Sequence, residues 1–431
     1  VTVFAEKKRI LIWVESLLGQ GHLSVINIIA QELVDSSKFD VHIATSSCWR
    51  APELTYGGAT LHGYDEALCI DHDPVLGYVT RERGTPIGQD SNWQLRRYER
   101  FKNIIEQVTP DAFLIEHWPF ARGNLDFEIH RGLMHARNVH PALKVYGSAR
   151  DVMLAYSGSA GGSAEMAVSI INKCFTKVFV HGDEHFIPFS ASFPQATAIA
   201  QGKLVHTGYL VRPMPERDLT LSDIRRSIVV SAGGSGYREG RILYETAIAA
   251  RCFLPDSLRQ NPWTIFVSPS YSDDIIQQLE QMASRQSDIH VTRNIARNQF
   301  RHAIVNAACS LSLCGRNTAA EVFSSGSPVV FVPSSASKEQ QFRATNFAPH
   351  GRMEVIAPEE IGHPQILAER ICRAVAKRDM PIRNLMVGGE KILTNSISRD
   401  FDQASTSTPR FYPVYAIPAP SIPSPALALG G

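Results

Sequence analysis

One pattern occurs twice along the chain: a short apolar run, a polar loop carrying glycines, then a helix with apolar positions at a period near 3.6. Residues 9–14 form the first apolar run, 15–22 the loop, and Leu23, Ile26, Ile29, Ala30 and Leu33 the buried stripe of the helix. A second apolar run follows at 41–45. Apolar runs without alternation predict parallel strands buried on both faces. Further strands are expected at 112–115, 143–147, 177–180 and 204–207, with a helix at 93–108. The pattern restarts with a strand at 227–231, a glycine loop at 232–236 and a helix at 242–253. Strands at 264–267, 289–292, 307–313 and 329–332 and a closing helix within 358–378 complete it. Pro213, Pro215 and the polar run to Asp223 read as a linker. The expected fold class is α/β, with two facing Rossmann-like domains, 1–212 and 223–395, and a cleft lined by strand carboxyl ends. Residues 51–92 read as irregular; Asp71-His72-Asp73 matches an acidic metal-binding pair but reads better as a solvated turn. Pro, Ala and Ser dominate 405–431, which is expected to be a disordered tail.

The totals narrow the function classes. A chain of 431 residues exceeds one core. Lys+Arg 43 against Asp+Glu 42 gives a net charge of +1, without the basic excess of a nucleic-acid binder. The seven cysteines are scattered and form no C-x-x-C. They indicate neither a disulfide framework nor a zinc site, so a reducing cytoplasm is expected. No run of about 18 apolar residues suggests a membrane span, and the first residues show no signal-peptide pattern.

The candidate chemistry sits where strands end. Gly19-x-Gly21 allows a tight turn and places His22 in or beside the first helical turn. Ser24 stands at the third glycine position of a dinucleotide fingerprint, which disfavours NAD. Glu116-His117-Trp118-Pro119 and Ser148-Ala149-Arg150-Asp151 are polar clusters at two further strand ends. Gly233 and Gly234 permit backbone approach to an anion, and Ser235 adds a hydroxyl; no Walker lysine follows. In the stretch 310–347, Gly315, Asn317 and Thr318 open a short helix carrying Glu321, and Glu339-Gln340-Gln341 head another. That first helix start suits a phosphate, and Glu321, one turn in, can take two sugar hydroxyls. From the residues alone, Asn317 reads first as an ordinary N-cap and Glu321 as a solvated first-turn acid, and His22 reads equally as a capping histidine.

Taken together, four motifs resemble GT-B glycosyltransferases of family 28, which includes the enzyme adding N-acetylglucosamine to lipid I. They are Gly19-Gln20-Gly21-His22, Gly208-Tyr209-Leu210-Val211-Arg212, Gly233-Gly234-Ser235, and Cys314-Gly315-x-Asn317-Thr318-x-x-Glu321 with Glu339-Gln340-Gln341. Their order and spacing cover residues from about 9 to 378. The match is closer to predicted bacterial relatives of that enzyme than to the enzyme itself. Leu210 replaces the family's proline, and the first glycine loop is shorter than in the lipid-I enzyme. The resemblance implies an inverting glycosyltransferase with a nucleotide-sugar donor, UDP-sugar favoured, and no metal or other cofactor. Arg212, Gly233, Gly234 and Ser235 would contact the diphosphate, with Gly315, Asn317 and Thr318 beside it. Glu321 would hold the ribose, and Glu339, Gln340 and Gln341 would line the donor-sugar side. Gly19, Gly21 and Asp151 would face the acceptor. His22 is the expected base, oriented by Glu116 or Asp151, Glu116 being preferred. The acceptor is an unidentified small or lipid-linked molecule, with peripheral contact at the inner membrane face implied by relatives that act on lipid carriers. A UDP-N-acetylglucosamine 2-epimerase and a non-catalytic nucleotide-sugar-binding subunit are the alternatives.

Overall fold

The computed structural model describes residues 6–16, 21–47, 54–63, 68–73, 77–82, 85–86, 91–154, 163–222, 226–233, 238–268, 271–293 and 296–404. The first half contains β1 (Lys8–Trp13), α1 (Gly21–Asp35), β2 (Phe39–Thr45), β3 (Thr60–Gly63), β4 (Leu68–Asp73), β5 (Gly77–Glu82) and β6 (Thr85–Pro86). It continues with α2 (Ser91–Val108), β7 (Ala112–Glu116), α3 (Asp126–Val139), β8 (Lys144–Arg150), α4 (Ala164–Cys174), β9 (Lys177–His181), α5 (Phe189–Ser192) and β10 (Leu204–His206). The second half contains β11 (Ile228–Ser231), α6 (Arg238–Ala250), α7 (Asp256–Arg259), β12 (Trp263–Val267), α8 (Asp273–Ala283), β13 (Ile289–Arg293), α9 (Arg297–Val305) and β14 (Cys309–Leu313). It closes with α10 (Arg316–Ser324), β15 (Val329–Val332), α11 (Lys338–Phe347), β16 (Met353–Val355), α12 (Pro364–Ala376) and α13 (Gly389–Ala404).

Two parallel sheets result. Their orders are β10-β9-β8-β7-β1-β2-β3 and β13-β12-β11-β14-β15-β16. The central strands of each are buried on both faces, which is why they read as largely apolar runs, while the edge strands β3 and β13 are partly exposed. On β1, Leu11 and Trp13 enter one core while Ile10 and Ile12 enter the other. Each sheet reverses its strand order once, between β1 and β7 and between β11 and β14. The crevice outside the strand carboxyl ends at such a reversal is the ligand site of open α/β sheets. The registers set the level of those ends, with Trp13 opposite Ile115 and Ser231 opposite Ser312.

The two halves share apolar packing. Val152, Phe186 and Tyr209 from the first pack with Phe323 and Phe347 from the second. The last helix also crosses over. α13 buries Leu393 and Ile397 against the first sheet's α1 side, and Asp400 accepts from Tyr146 (3.1 Å) and Lys177. The expected second domain, 223–395, therefore contains the start of a helix that packs on the first. The crossing point demands glycine at 208. Its φ is +77°, and a Cβ there would lie 2.6 Å from the Met386 carbonyl oxygen. The segment expected to be irregular holds the antiparallel sheet β4-β5-β6, and Asp71-His72-Asp73 lie in β4, not in a turn. The expected tail lies outside the described residues. Among the described residues no helix is long and apolar enough to cross a membrane.

Candidate active site

The end of β1 is fixed by a buried charge network. Glu15 accepts from Ser46 N and Oγ at 2.8 Å each, from Ser47 Oγ at 2.6 Å and from Arg97 Nη2 at 2.6 Å. Arg97 also reaches Glu128, which takes the Trp13 indole N–H at 2.7 Å. Burial raises the Glu128 pKa, against the pull of Arg97. This network anchors the chain just before α1, whose second residue is His22. Across the strand-order reversal, β7 ends on Glu116.

His22 and Glu116 meet there. His22 Nδ1 lies 2.6 Å from Glu116 Oε1, with side chains 10% and 1% exposed. Arg150, at the end of β8, donates to His22 Nε2. A guanidinium has no lone pair to offer, so Nε2 is the acceptor and the ring proton sits on Nδ1, donated to Glu116. Burial, then the charges of Arg150 and Arg122, hold the His22 pKa well below its ordinary value. A neutral imidazole backed by a carboxylate through Nδ1 is the state a general base requires.

Arg150 also reaches the other domain, donating to Glu339 Oε2 at 2.9 Å. Burial pushes the Glu339 pKa up, but Arg150 and Arg343 outweigh it and bring the value down to about 2. Glu339 thus forms part of the wall opposite His22. Asp151 does not join His22. Its carboxylate takes Arg343 Nε and Nη2 at 2.7 and 2.8 Å and the Tyr209 hydroxyl at 2.8 Å, all buried. Of the two acids expected to orient His22, Glu116 stands beside it and Asp151 ties the domains together.

The donor motifs converge at the second reversal. Gly233 has φ +69°, and a Cβ on it would lie 3.3 Å from Thr318 Oγ1, so the glycine loop touches the start of α10. Gly315 is the N-cap of α10. Asn317 Nδ2 reaches the Gly21 carbonyl at 3.5 Å, bringing the starts of α10 and α1 face to face. Glu321 is buried; Arg297 Nε donates to its Oε1 at 2.9 Å, and its Oε2 is without a partner. Gln340 and Gln341 brace the loop before α11: Gln340 Oε1 accepts from Ser334 N at 3.1 Å, and Gln341 Nε2 donates to Ser334 O at 3.1 Å. Arg212 is exposed at the domain junction. Gly19, Gly234 and Ser235 lie outside the described residues.

A cavity of about 820 Å³ opens between the halves, with His22, His117, Arg122, Arg150, Lys338 and Glu339 as its polar wall. Val152, Met153 and Leu154 supply apolar wall. Arg316 stands close by; burial, then Arg150, lower its pKa to about 10. Crowded guanidiniums in one cleft attract an anion. They also bear on metal binding. Donor atoms of His22, Glu116 and His117 lie within 4.8 Å of one another. Arg150 sits on His22 Nε2 and Arg122 Nη2 lies 3.9 Å from Glu116 Oε2, so two fixed positive charges oppose a cation there. Sequence reasoning missed Arg122 and Arg316, and placed His117 and Arg150 in strand-end clusters without giving either a role. The signal for the latter two was adjacency, since His117 follows Glu116 and Arg150 precedes Asp151.

No protein-family model matches the sequence, and no curated protein matches it. Solved structures do. CalG4, the calicheamicin glycosyltransferase, is 12% identical over 93% of this chain and 100% of its own, with a TM-score of 0.59. MurG of Acinetobacter baumannii is 12% identical over 91% and 99%, with a TM-score of 0.54. The UDP-GlcNAc 2-epimerase from Neisseria meningitidis, bound to UDP-GlcNAc, is 9% identical over 91% and 100%, with a TM-score of 0.56. The fold is GT-B: two Rossmann-like domains facing across a cleft.

Proposed function

We propose that this chain is an inverting, metal-independent glycosyltransferase that moves a sugar from a nucleoside-diphosphate sugar, UDP-sugar favoured, to an acceptor hydroxyl. The observation that carries the reading is the His22–Glu116 pair, 2.6 Å apart, in the wall of a large cavity between two Rossmann-like domains. His22 takes the acceptor proton on Nε2 once Arg150 has moved aside, and Glu116 stabilises the imidazolium. The acceptor oxygen bonds to the anomeric carbon as the carbon–diphosphate bond breaks, and the nucleoside diphosphate leaves with the bonding electrons. Attack opposite the leaving group inverts the centre. The start of α10, with Arg150 and Arg316, supplies the positive potential that the developing diphosphate charge needs. Glu321 Oε2, buried and unpartnered, is available to ribose hydroxyls. The structural likeness to glycosyltransferases supports this reading through the shared fold.

A 2-epimerase is the second reading; it needs cleft carboxylates for proton transfer at C2, which Glu116 beside His22 and Glu339 in the cavity wall offer while Asp151 is tied to Arg343, and it is favoured by the fold shared with such enzymes. The test is a thermal-shift screen against UDP, GDP, dTDP and their sugars without added metal, then mass analysis of products with and without hydroxylated acceptors. Transfer that requires an acceptor supports the first reading; acceptor-free isomerisation of UDP-GlcNAc replaces it with the second. Folded protein that neither binds nor turns over any of these sinks both.

A further inference from the structure

His22 has both ring nitrogens engaged, Nδ1 by Glu116 and Nε2 by Arg150. His117 is its opposite. It is 6% exposed, and neither of its ring nitrogens has a hydrogen-bond partner. Its backbone is left-handed, with φ +67°. The turn is held by His117 N donating to Ser148 O and His117 O accepting from Ala121 N, both at 2.8 Å. A buried unpaired donor and acceptor cost stability, and left-handed backbone in a non-glycine residue adds to that cost. Both costs fall on one residue in the wall of the cavity that His22 lines. The ring centroids of the two histidines are 5.3 Å apart. Such a pairing of orphaned polar atoms with strained backbone marks a group held ready for a ligand.

We propose that His117 binds the acceptor hydroxyl together with His22, placing it for transfer and selecting which hydroxyl of the acceptor reacts. The inference rests on the glycosyltransferase reading and deepens it. The ring centroids, 5.3 Å apart, are close enough for one oxygen to reach a nitrogen of each once Arg150 has left His22 Nε2. One oxygen at about 2.8 Å from two nitrogens, with its contacts diverging tetrahedrally, spans about 4.6 Å. A hydroxyl offers one proton and two lone pairs. It donates to His22 and accepts from the single N–H of neutral His117. Two fixed contacts on one oxygen leave its second lone pair to point in one direction, which is what in-line attack needs. The acceptor class is an alcohol or phenol whose apolar flank rests on Val152, Met153 and Leu154. A metal bridging the same atoms is the competing occupant, opposed by Arg122 and Arg150.

The test uses the full chain with His117→Gly and His117→Asn, both suited to left-handed backbone. Donors are UDP-glucose and UDP-GlcNAc; acceptors are a panel of phenols and alkyl glycosides. Relative to wild type, both variants are expected to raise the acceptor KM at least tenfold, leave the donor KM within twofold and broaden the set of hydroxyls modified. Their Tm is expected to equal or exceed that of wild type. An unchanged acceptor KM and product pattern overturns the inference. So does a joint loss of donor and acceptor kinetics with a lowered Tm, which would make His117 structural. Tight zinc or manganese uptake by wild type that is lost in both variants overturns it in favour of a metal site. If wild type transfers sugar to no acceptor, the glycosyltransferase reading fails and takes the inference with it, a result separable from the others because they all require active or metal-bound wild type.

Discussion

Removing Asp151 tests the joint between the domains most directly. Asp151 and Arg343 are each 0% exposed, and the carboxylate takes two guanidinium N–H groups at 2.7 and 2.8 Å. Asp151→Ala leaves a buried guanidinium that keeps Glu339 Oε1 at 2.6 Å and the Cys314 carbonyl at 3.0 Å. Breaking a buried pair from one side costs about 3–5 kcal/mol, and the surviving contacts favour the lower figure. The Tyr209 hydroxyl loses its 2.8 Å acceptor, which adds about 1 kcal/mol. The sum is about 4 kcal/mol. An unfolding entropy of about 2.1 cal/mol/K per residue over roughly 400 residues is about 0.8 kcal/mol/K, so Tm should fall by about 5 °C. Scanning calorimetry of wild type, Asp151→Ala and Asp151→Ala/Arg343→Met reads this directly. The double variant removes the orphaned charge and should recover most of the loss, since apolar replacement of a buried pair is often near neutral. A fall below about 1 °C in the single variant, or a double variant less stable than the single, would refute the reasoning.

Three further outcomes are expected. Glu116→Gln keeps the shape beside His22 but loses the charge and can donate to Nδ1, reversing the tautomer; kcat should fall by about 10²–10³ with donor KM unchanged, and a change under threefold would remove Glu116 from the reaction. Glu321→Ala should weaken nucleotide binding by about 10–100-fold in calorimetry, the worth of hydrogen bonds to a charged group; unaltered affinity would reject a ribose role. Burial holds His22 and His117 neutral and lowers the His181 pKa to about 3, so the folded state binds fewer protons than the unfolded chain below about pH 6.5. Stability should be full above that pH and fall below it, by about 2 kcal/mol at pH 5 for His181, with His22 and His117 acting in the same direction; a urea midpoint unchanged between pH 8 and pH 5 would contradict the burial of these rings.

The sequence disclosed the two sheets because parallel strands buried on both faces are largely apolar, as in β1 and β11, and β14 keeps only small serines among its buried apolar positions. It disclosed His22 and Glu116 because polar residues at strand ends stand out against those runs. It did not disclose which strand ends are neighbours. Glu116 and Asp151 look alike in the chain, and only the strand order puts one beside α1 and the other beside α11. Asp151 finds Arg343 across 192 positions, a separation that no local spacing encodes. Glu339 was read among the donor residues because it adjoins Gln340 and Gln341. On a helix, adjacent residues point in different directions, so Glu339 faces the cavity while the glutamines brace the loop. The return of α13 was hidden for a similar reason. Leu393, Ile397 and Phe401, spaced by four, make a stripe that marks a helix with a buried side but does not say against which domain.

Two ion pairs cross between the domains at adjacent residues, and their environments separate their roles. Asp151–Arg343 is sealed from water, and breaking it from one side is expensive. Arg150–Glu339 has side chains 23% and 26% exposed, and a pair that reaches solvent is screened and contributes less than a sealed one. The first is a fixed joint; the second is a contact that an entering anion can displace at lower cost. Arg150 is also the group that occupies His22 Nε2. Under the proposed reaction, an anion that draws Arg150 away frees the lone pair of the base in the same movement, while Asp151–Arg343 holds the two halves of the cleft in register. The donor's diphosphate is the anion that reaction supplies, so the arrangement favours donor binding before acceptor activation.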